Sequence, residues 1–165
     1  CLFFFLKEMD NFLSVDILTL SKENYGREIH GLDSAKLLAS LVFQEALCEY
    51  GQDLKHQQQL SEALADIFTL IYTAGSVISR ARQSQSNHEI SDMSSVITRI
   101  FTAESLLKIK SLSNICLNKI FEENIPNETA QFVQSLESIM TLNTDTISLK
   151  QSLADFMYTK NNYPF

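Results

Sequence analysis

The sequence has little glycine and little proline, the residues that most often mark turns. Its 165 residues include 4 Gly, 2 Pro and no Trp. Such sparse turn signals exclude a sandwich of many short strands and favour a few long elements joined by short connections. A chain of this length is long enough for one domain with a sizeable core. We therefore expect residues 1–165 to form a single helical domain.

Basic charge and paired cysteines are also scarce. The chain has 13 Lys and Arg against 20 Asp and Glu, for a net charge of -7. This sign repels phosphate backbones and argues against nucleic acid as a partner. The three cysteines (Cys1, Cys48 and Cys116) are odd in number and widely spaced. They predict no disulfide framework, and hence a protein that is not secreted and resides in a reducing compartment.

Long apolar runs are missing as well. No run of about 18 apolar residues is present, so the sequence predicts no transmembrane helix. The apolar stretch from Cys1 to Leu6 is too short for a signal peptide and lacks a basic leader. The chain begins with Cys instead of Met, which we interpret as the start of a fragment of a longer protein. A mature lipoprotein with an acylated Cys1 is the alternative.

Apolar residues at helical spacing predict the fold class. The clearest set has alternating intervals of four and three: Leu60, Leu64, Ile67, Ile71, Ala74, Ile78 and Ala81. Such a seam faces partner helices. Further helices are predicted from Phe3 to Leu20, after an N-cap at Asp33, from Glu89 to Phe121, after a cap at Asn127, and around Leu149 to Met157. The predicted fold is all-α, an antiparallel bundle of five or six helices with no sheet.

One carboxylate stands on the predicted inner face of the fourth segment. That face is assigned from its apolar residues: Met93, Ile97, Ile100, Phe101, Leu107, Leu112 and Ile115. Glu104 lies between Phe101 and Leu107, and a carboxylate on an apolar stripe needs a partner. Arg80 and Arg82, near the end of the preceding antiparallel helix, are the candidate partners, and Arg80 is preferred because it lies beside Ile78 and Ala81. The expected interaction is a partly buried structural ion pair that fixes helix register. A catalytic acid is the alternative role for Glu104.

The other chemical motifs are incomplete. Glu45, Glu49 and Asp53 follow one another at a spacing of four, and Asp53 with His56 resembles half of a di-iron ligand motif. Because the second half is missing, a solvated face is the favoured interpretation. Glycine-rich phosphate loops and the common hydrolase motifs are absent from the sequence. We therefore predict no catalytic, cofactor-binding or metal-binding residue in this chain.

A family resemblance adds to this interpretation. The stretch LADIFTLIY from Leu64 to Tyr72, continuing to VISRA at Val77 to Ala81, resembles the C-terminal domain of very-long-chain type acyl-CoA dehydrogenases. In that family a polar loop with His-Glu follows, here His88 and Glu89. A helix with an aromatic residue and a downstream Glu-Ala comes next, here Phe101 and Glu104, with Ser105 in place of Ala. The resemblance is strongest over residues 42–115.

The resemblance implies a C-terminal fragment of a longer flavoenzyme. Its parent would be an FAD-dependent acyl-CoA dehydrogenase, an oxidoreductase of fatty acid β-oxidation, with FAD, acyl-CoA and the catalytic Glu held in an upstream core domain. That core has a Phe/Trp-Glu-Gly pattern, which this chain lacks, so no cofactor is expected in the chain itself. The implied role is non-catalytic: packing in a dimer, partner association or peripheral membrane contact. The implied location is the bacterial cytoplasm or the matrix side of the mitochondrial inner membrane.

Two other functions are compatible with the residues. A stand-alone helical interaction protein with no enzymatic activity would use the seam from Leu60 to Ala81 to bind a partner helix. A small helical enzyme or metal protein would use Asp53, His56 or Glu104. The resemblance favours the remainder of a parent dehydrogenase, or a second subunit, as the partner.

Overall fold

The structure is a computed structural model that describes residues 25–83 and 88–160. Within these ranges five α-helices are present, and no strand: α1 (Gly26–Tyr50), α2 (Gln58–Gln83), α3 (His88–Ile120), α4 (Asn127–Met140) and α5 (Thr146–Lys160). A 3₁₀ helix (Gly51–His56) joins α1 to α2. The all-α class is confirmed. The helix predicted from Phe3 to Leu20 lies outside the described residues.

The first described helix begins earlier than the sequence predicted. Asp33 was expected to be an N-cap, but α1 begins at Gly26, after Tyr25 with a φ of 65°. Gly31 therefore lies inside the helix, although glycine usually marks turns. A Cβ built on Gly31 would lie 2.8 Å from Cδ1 of Leu106 in α3. The glycine permits close approach of α1 and α3 here. Because α1 begins at Gly26, Asp33 lies inside the helix and the prediction of Asp33 as an N-cap is wrong.

Helix α2 supplies the central seam of the core. All seven residues predicted from the alternating intervals are buried: Leu60, Leu64, Ile67, Ile71, Ala74, Ile78 and Ala81. Two contacts with α1 fix the direction of α2. Gly75 lies beside Leu32, and the rings of Phe68 and Phe43 touch. Because the later residue of α2 meets the earlier residue of α1, the two helices run antiparallel.

Helix α3 is rotated relative to the predicted inner face. Leu107 and Ile115 were placed inward, but each is 59% exposed. The buried side of the helix includes four small hydroxyl residues: Thr98, Thr102, Ser105 and Ser113. A hydroxyl can satisfy itself within its own helix, as Thr98 does by donating to the carbonyl of Ser94 over 2.7 Å. Counting only apolar residues misses these positions and gives the wrong helix phase.

Helix α4 packs deeply into the bundle. Helix α4 buries Thr129, Phe132, Val133, Leu136 and Met140. Glu137 ties it to α3, accepting a 2.7 Å hydrogen bond from Nδ2 of Asn114 and lying 3.2 Å from Nζ of Lys110. Helix α4 starts at Asn127 itself, with Pro126 before it and no side-chain cap, so the predicted cap at Asn127 is wrong.

Helix α5 lies at the edge of the bundle. It follows a non-helical connection at residues 141–145. Its apolar stripe is only half-buried: Leu149, Leu153, Phe156 and Met157. The contacts of α5 are made mainly with α3. This helix therefore depends on one neighbour for its packing.

Candidate interaction surface

An exposed apolar surface spans the outer sides of α1 and α2. We call it the outer face, and it consists of Phe43, Leu47, Phe68 and Tyr72. The exposed fraction of these side chains runs from 40% for Phe43 to 77% for Tyr72. The rings of Phe43 and Phe68 pack edge to face, with centroids 6.0 Å apart and an interplanar angle of 80°. This contact joins the two helices into one apolar surface.

A shallow groove continues the outer face along α2. Its volume is about 970 Å³, and it extends from Phe68 and Tyr72 past small residues to the end of the helix. The small residues are Gly75, Ser76 and Ser79. Short side chains leave a depression between bulkier neighbours, and such depressions accept the side chains of a packed helix.

The exposed charges of α2 are separated along the helix. Glu62 and Asp66 lie in its N-terminal half, and Arg80 and Arg82 lie in its last turns. Negative charge towards the N-terminus and positive charge at the C-terminus suit the helix dipole. The carboxylate of Asp66 also lies 4.0 Å from Nζ of Lys108 in α3. The exposed charges of α2 are thus acidic in its N-terminal half and basic in its last turns.

The composition of α2 also distinguishes it from the other described helices. By length and composition alone it is long and apolar enough to cross a membrane. The core helix of a bundle meets the same criterion, and α2 carries the buried seam. However, only 28% of its most apolar 18-residue window is buried in the bundle. The exposed part of this helix includes the large apolar side chains of Phe68 and Tyr72.

Glu104 does not occupy the predicted inner position. It is exposed, and its carboxylate accepts a hydrogen bond from Nζ of Lys150 in α5. The contact between Asp66 and Lys108 places Glu104 beside the middle of α2. Arg80 lies about ten residues farther along that helix, or roughly 15 Å at 1.5 Å per residue. The structure pairs Glu104 with Lys150 in place of Arg80, because the phase of α3 differs from the predicted one.

The side chains considered as metal ligands are spread over two elements. Asp53 and His56 lie exposed in the 3₁₀ helix, whereas Glu45 and Glu49 lie on α1. Within residues 25–83 and 88–160, no group of three His, Cys, Asp or Glu side chains is placed to hold a metal ion. The half-motif of Asp53 and His56 therefore gains no third ligand among the described residues.

A polar cleft that the sequence did not predict lies at the start of α1. Its volume is about 520 Å³, and its lining comes from the start of α1, from Arg99 of α3, and from the connection before α5 together with the first turn of α5. The carboxylate of Glu28 is 3.9 Å from Nε of Arg99. Asp145 accepts hydrogen bonds from the backbone N of Ser148 at 3.1 Å and from its Oγ at 2.6 Å. These bonds lower the pKa of Asp145, so both acids of the cleft have partners.

Two further side chains have pKa values changed by burial. Burial lowers the pKa of His30, an effect that the nearby Asp33 carboxylate opposes. His30 is half-buried in α1. Burial raises the pKa of the Cys116 thiol to about 11. Cys48 is exposed, and both of these cysteines are free thiols.

Comparison with known proteins identifies the family. Residues 34–126 match the family model described as acyl-CoA dehydrogenase, C-terminal domain. The chain belongs to this family. The matched range covers more than half of the chain and contains the whole of the resemblance seen over residues 42–115. No curated protein sequence and no solved structure gives a significant match. Helices α4 and α5 of this acyl-CoA dehydrogenase C-terminal domain lie beyond the matched residues.

Proposed function

We propose that this acyl-CoA dehydrogenase C-terminal domain is a non-catalytic packing domain of a very-long-chain type, FAD-dependent enzyme of β-oxidation. Its task is to hold subunits or domains together. The outer face of Phe43, Leu47, Phe68 and Tyr72 carries this proposal, because a contiguous exposed apolar surface is typical of a protein interaction site. The partner is the remainder of the parent dehydrogenase or a second subunit.

The surroundings of Glu104 support a non-catalytic role. A general base that removes a carbon-bound proton must lie within reach of the substrate, usually in a pocket that tunes its pKa. Glu104 is instead exposed and bonded to Lys150 on the surface. In this proposal FAD and acyl-CoA bind to an upstream core domain, and the C-terminal domain supplies none of their contacts. The site of action is the bacterial cytoplasm or the matrix side of the mitochondrial inner membrane.

Peripheral membrane contact is a second candidate function. It is supported by the apolar composition of α2 and by the small buried share of that helix. The net charge of -7 opposes purely electrostatic binding to anionic lipid. Contact of this kind would therefore rely on the outer face and not on a basic patch.

An activity assay tests the non-catalytic assignment. The purified chain is incubated with FAD, palmitoyl-CoA and an electron acceptor, and dehydrogenation is followed spectroscopically. We expect no turnover above the protein-free blank and no flavin retained on gel filtration. The variant Glu104→Gln serves as the matched control and should behave as the wild type does. Turnover in the wild type that Glu104→Gln abolishes would overturn the assignment.

The coding sequence upstream of Cys1 tests the assignment to a parent enzyme. An open frame that encodes a dehydrogenase core with the Phe/Trp-Glu-Gly helix is the expected finding. A stop codon or a start codon at that point would instead support a stand-alone helical interaction protein.

A further inference from the structure

We infer that the segment from Phe3 to Leu20 forms a helix that packs on the outer face, antiparallel to α1. The segment lies outside the described residues. Its sequence places apolar residues at helical spacing: Leu6, Met9, Leu13, Ile17 and Leu20. In the proposed function, on which this inference rests, the same segment leads to the upstream core. The outer face thus binds the part of the chain that joins the two domains.

One side of α1 presents a continuous stripe to the exterior of the bundle. Its members follow one another at alternating intervals of four and three residues: Ile29, Asp33, Lys36, Ser40, Phe43 and Leu47. None of them is buried, whereas the other sides of α1 contact α2, α3 and α4. The two charged members pair with each other, since Nζ of Lys36 lies 2.7 Å from Oδ1 of Asp33. The stripe is therefore a helix-packing surface whose charges are already paired.

A matching stripe on α2 forms the second wall of the site. Phe68, Tyr72, Gly75 and Ser79 follow one another at intervals of four, three and four, and they line the groove together with Lys36 of α1. Two antiparallel helices whose stripes flank a groove accept a third helix in the manner of a helical bundle. Covering the exposed rings of Phe68 and Tyr72 with apolar side chains supplies the driving force.

The connection to α1 limits where this helix can lie. Only residues 21–24 separate Leu20 from Tyr25. Tyr25 has a φ of 65°, so the backbone turns immediately before α1. Connections of this length join antiparallel neighbours in helical bundles. Because α2, α3 and α4 occupy the other sides of α1, an antiparallel neighbour meets the exposed stripe.

The lengths and the repeats agree with such a hairpin. A helix from Phe3 to Leu20 is about 27 Å long at 1.5 Å per residue, which is about the length of the stripe from Ile29 to Leu47. Both stripes repeat every seven residues, so one register forms a pair at each repeat: Leu20 with Ile29, Leu13 with Lys36 and Leu6 with Phe43. The same register sets Met9 opposite Ser40.

Hydrogen exchange on the full chain tests the docking. Amides of residues 3–20 should be protected in the wild type, because a helix packed on the bundle opens less often than a free one. Leu13→Asp, which places a charge in the contact, should abolish that protection. Val15→Asp is the matched control, since helical periodicity puts Val15 on the opposite side. Loss of protection in both variants, or in neither, would overturn the inference.

A second pair of variants tests the outer face itself. Tyr72→Asp should lower the protection of residues 3–20. Tyr158→Asp makes the same change at an exposed position of α5 and should leave that protection unchanged. The amides of α4 should stay protected in both variants, which checks that the bundle is folded. Protection of residues 3–20 that survives Tyr72→Asp means that the segment packs elsewhere, and the inference fails.

A cysteine pair tests the register. Two background thiols are first removed by Cys1→Ser and Cys48→Ser. Met9→Cys with Ser40→Cys should then form a disulfide within one chain under mild oxidation. Asn11→Cys with Ser40→Cys is the control, because helical periodicity puts Asn11 on the opposite side, and it should stay reduced. A disulfide-linked dimer from the first pair would show that the segment packs on a second copy, which overturns the inference.

Failure of the inference can be told apart from failure of the proposed function. A segment that exchanges freely in the wild type overturns the inference. If the separately expressed dehydrogenase core then binds the chain, and Tyr72→Asp abolishes this binding, the packing role is kept. If the core does not bind, the packing role is overturned as well.

Discussion

The buried hydroxyls of α3 differ in whether they find a hydrogen-bond partner. Thr98 donates to the carbonyl of Ser94. Oγ1 of Thr102 and Oγ of Ser113 have no partner, although both residues are fully buried. A buried polar group left unsatisfied costs about 1–3 kcal/mol. The same stripe of α3 therefore contains a satisfied threonine and an unsatisfied one, which makes a controlled comparison possible.

Replacing the unsatisfied threonine should stabilise the protein. Thr102→Val keeps the shape of the side chain and removes the orphaned hydroxyl, so the free energy of unfolding should rise by about 1 kcal/mol. Thr98→Val is the control, and it should leave the free energy unchanged or lower it, because it removes a made bond. Urea denaturation measures both values. Equal effects at the two positions would contradict the assignment of Thr102 as unsatisfied.

Two helical glycines should respond oppositely to alanine. A Cβ on Gly75 would lie 3.5 Å from Leu32, an ordinary contact, so Gly75→Ala should stabilise α2 by about 0.5–1 kcal/mol through helix propensity. A Cβ on Gly31 would lie 2.8 Å from the buried Leu106. Gly31→Ala should therefore destabilise the protein by about 1 kcal/mol, since overpacking outweighs propensity. Thermal unfolding at low protein concentration compares them, and a stabilising Gly31→Ala would show that α1 and α3 are less close.

At the scale of elements, α5 should be the first described helix to open. None of its described side chains is buried, whereas α2 carries seven buried residues. Regions with few buried apolar contacts open at low free energy. We expect amide hydrogens of α5 to exchange faster than those of α2. The variant Lys150→Ala, which removes the link to Glu104, should accelerate exchange in α5 alone. Equal protection of α2 and α5 would contradict this ranking.

Asp145 precedes α5 and caps it by accepting hydrogen bonds from Ser148. This cap should be sensitive to acid. Hydrogen bonds from Ser148 lower the pKa of Asp145 in the folded state, so the cap favours folding above the ordinary aspartate pKa of about 3.9. That contribution is lost as the pH falls through the lowered pKa. The protection factors of the first turn of α5, which correct for the intrinsic pH dependence of amide exchange, should therefore fall at acid pH in the wild type. In Asp145→Asn, which does not titrate, this pH dependence should be absent.

The helices differ in how well the sequence predicted them, and the reasons are physical. Helix α2 was predicted residue by residue because a single apolar seam alternates there without interruption. Helix α3 was predicted with the wrong phase because Thr98 and Thr102 are polar residues at buried positions. An assignment of the inner face from apolar residues alone does not include them. The wrong helix phase also led to the prediction that Glu104 lies on the inner face with Arg80 as its partner.

The interaction surface was harder to predict than the fold. Phe43 and Phe68 are apolar residues like those of the core, and their spacing in the sequence does not indicate that their side chains are exposed. Only the packing of α1 on α2 leaves them outside. The polar cleft at Tyr25 was also missed, because its residues come from α1, α3 and the segment from the α4–α5 connection into α5, which are distant in sequence.

For the molecule as a whole, His30 should make stability depend on pH. Burial lowers its pKa in the folded state, so the unfolded chain binds the proton more readily. Unfolding free energy should therefore fall as the pH drops below the unperturbed value of about 6.5, and the loss should level off below the lowered folded pKa. Urea midpoints between about pH 7 and pH 5 measure the slope. His30→Gln should flatten the slope, and His56→Gln, at an exposed position, should leave it unchanged.

The buried thiol of Cys116 allows local opening of the fold to be followed by its reaction with a thiol reagent. A thiol reagent reacts with the thiolate, and the native fold hides this sulfur and raises its pKa to about 11. Cys48 is exposed and reacts without any opening. The delay between the modification of Cys48 and that of Cys116 therefore reports how often the C-terminal end of α3 becomes accessible under native conditions.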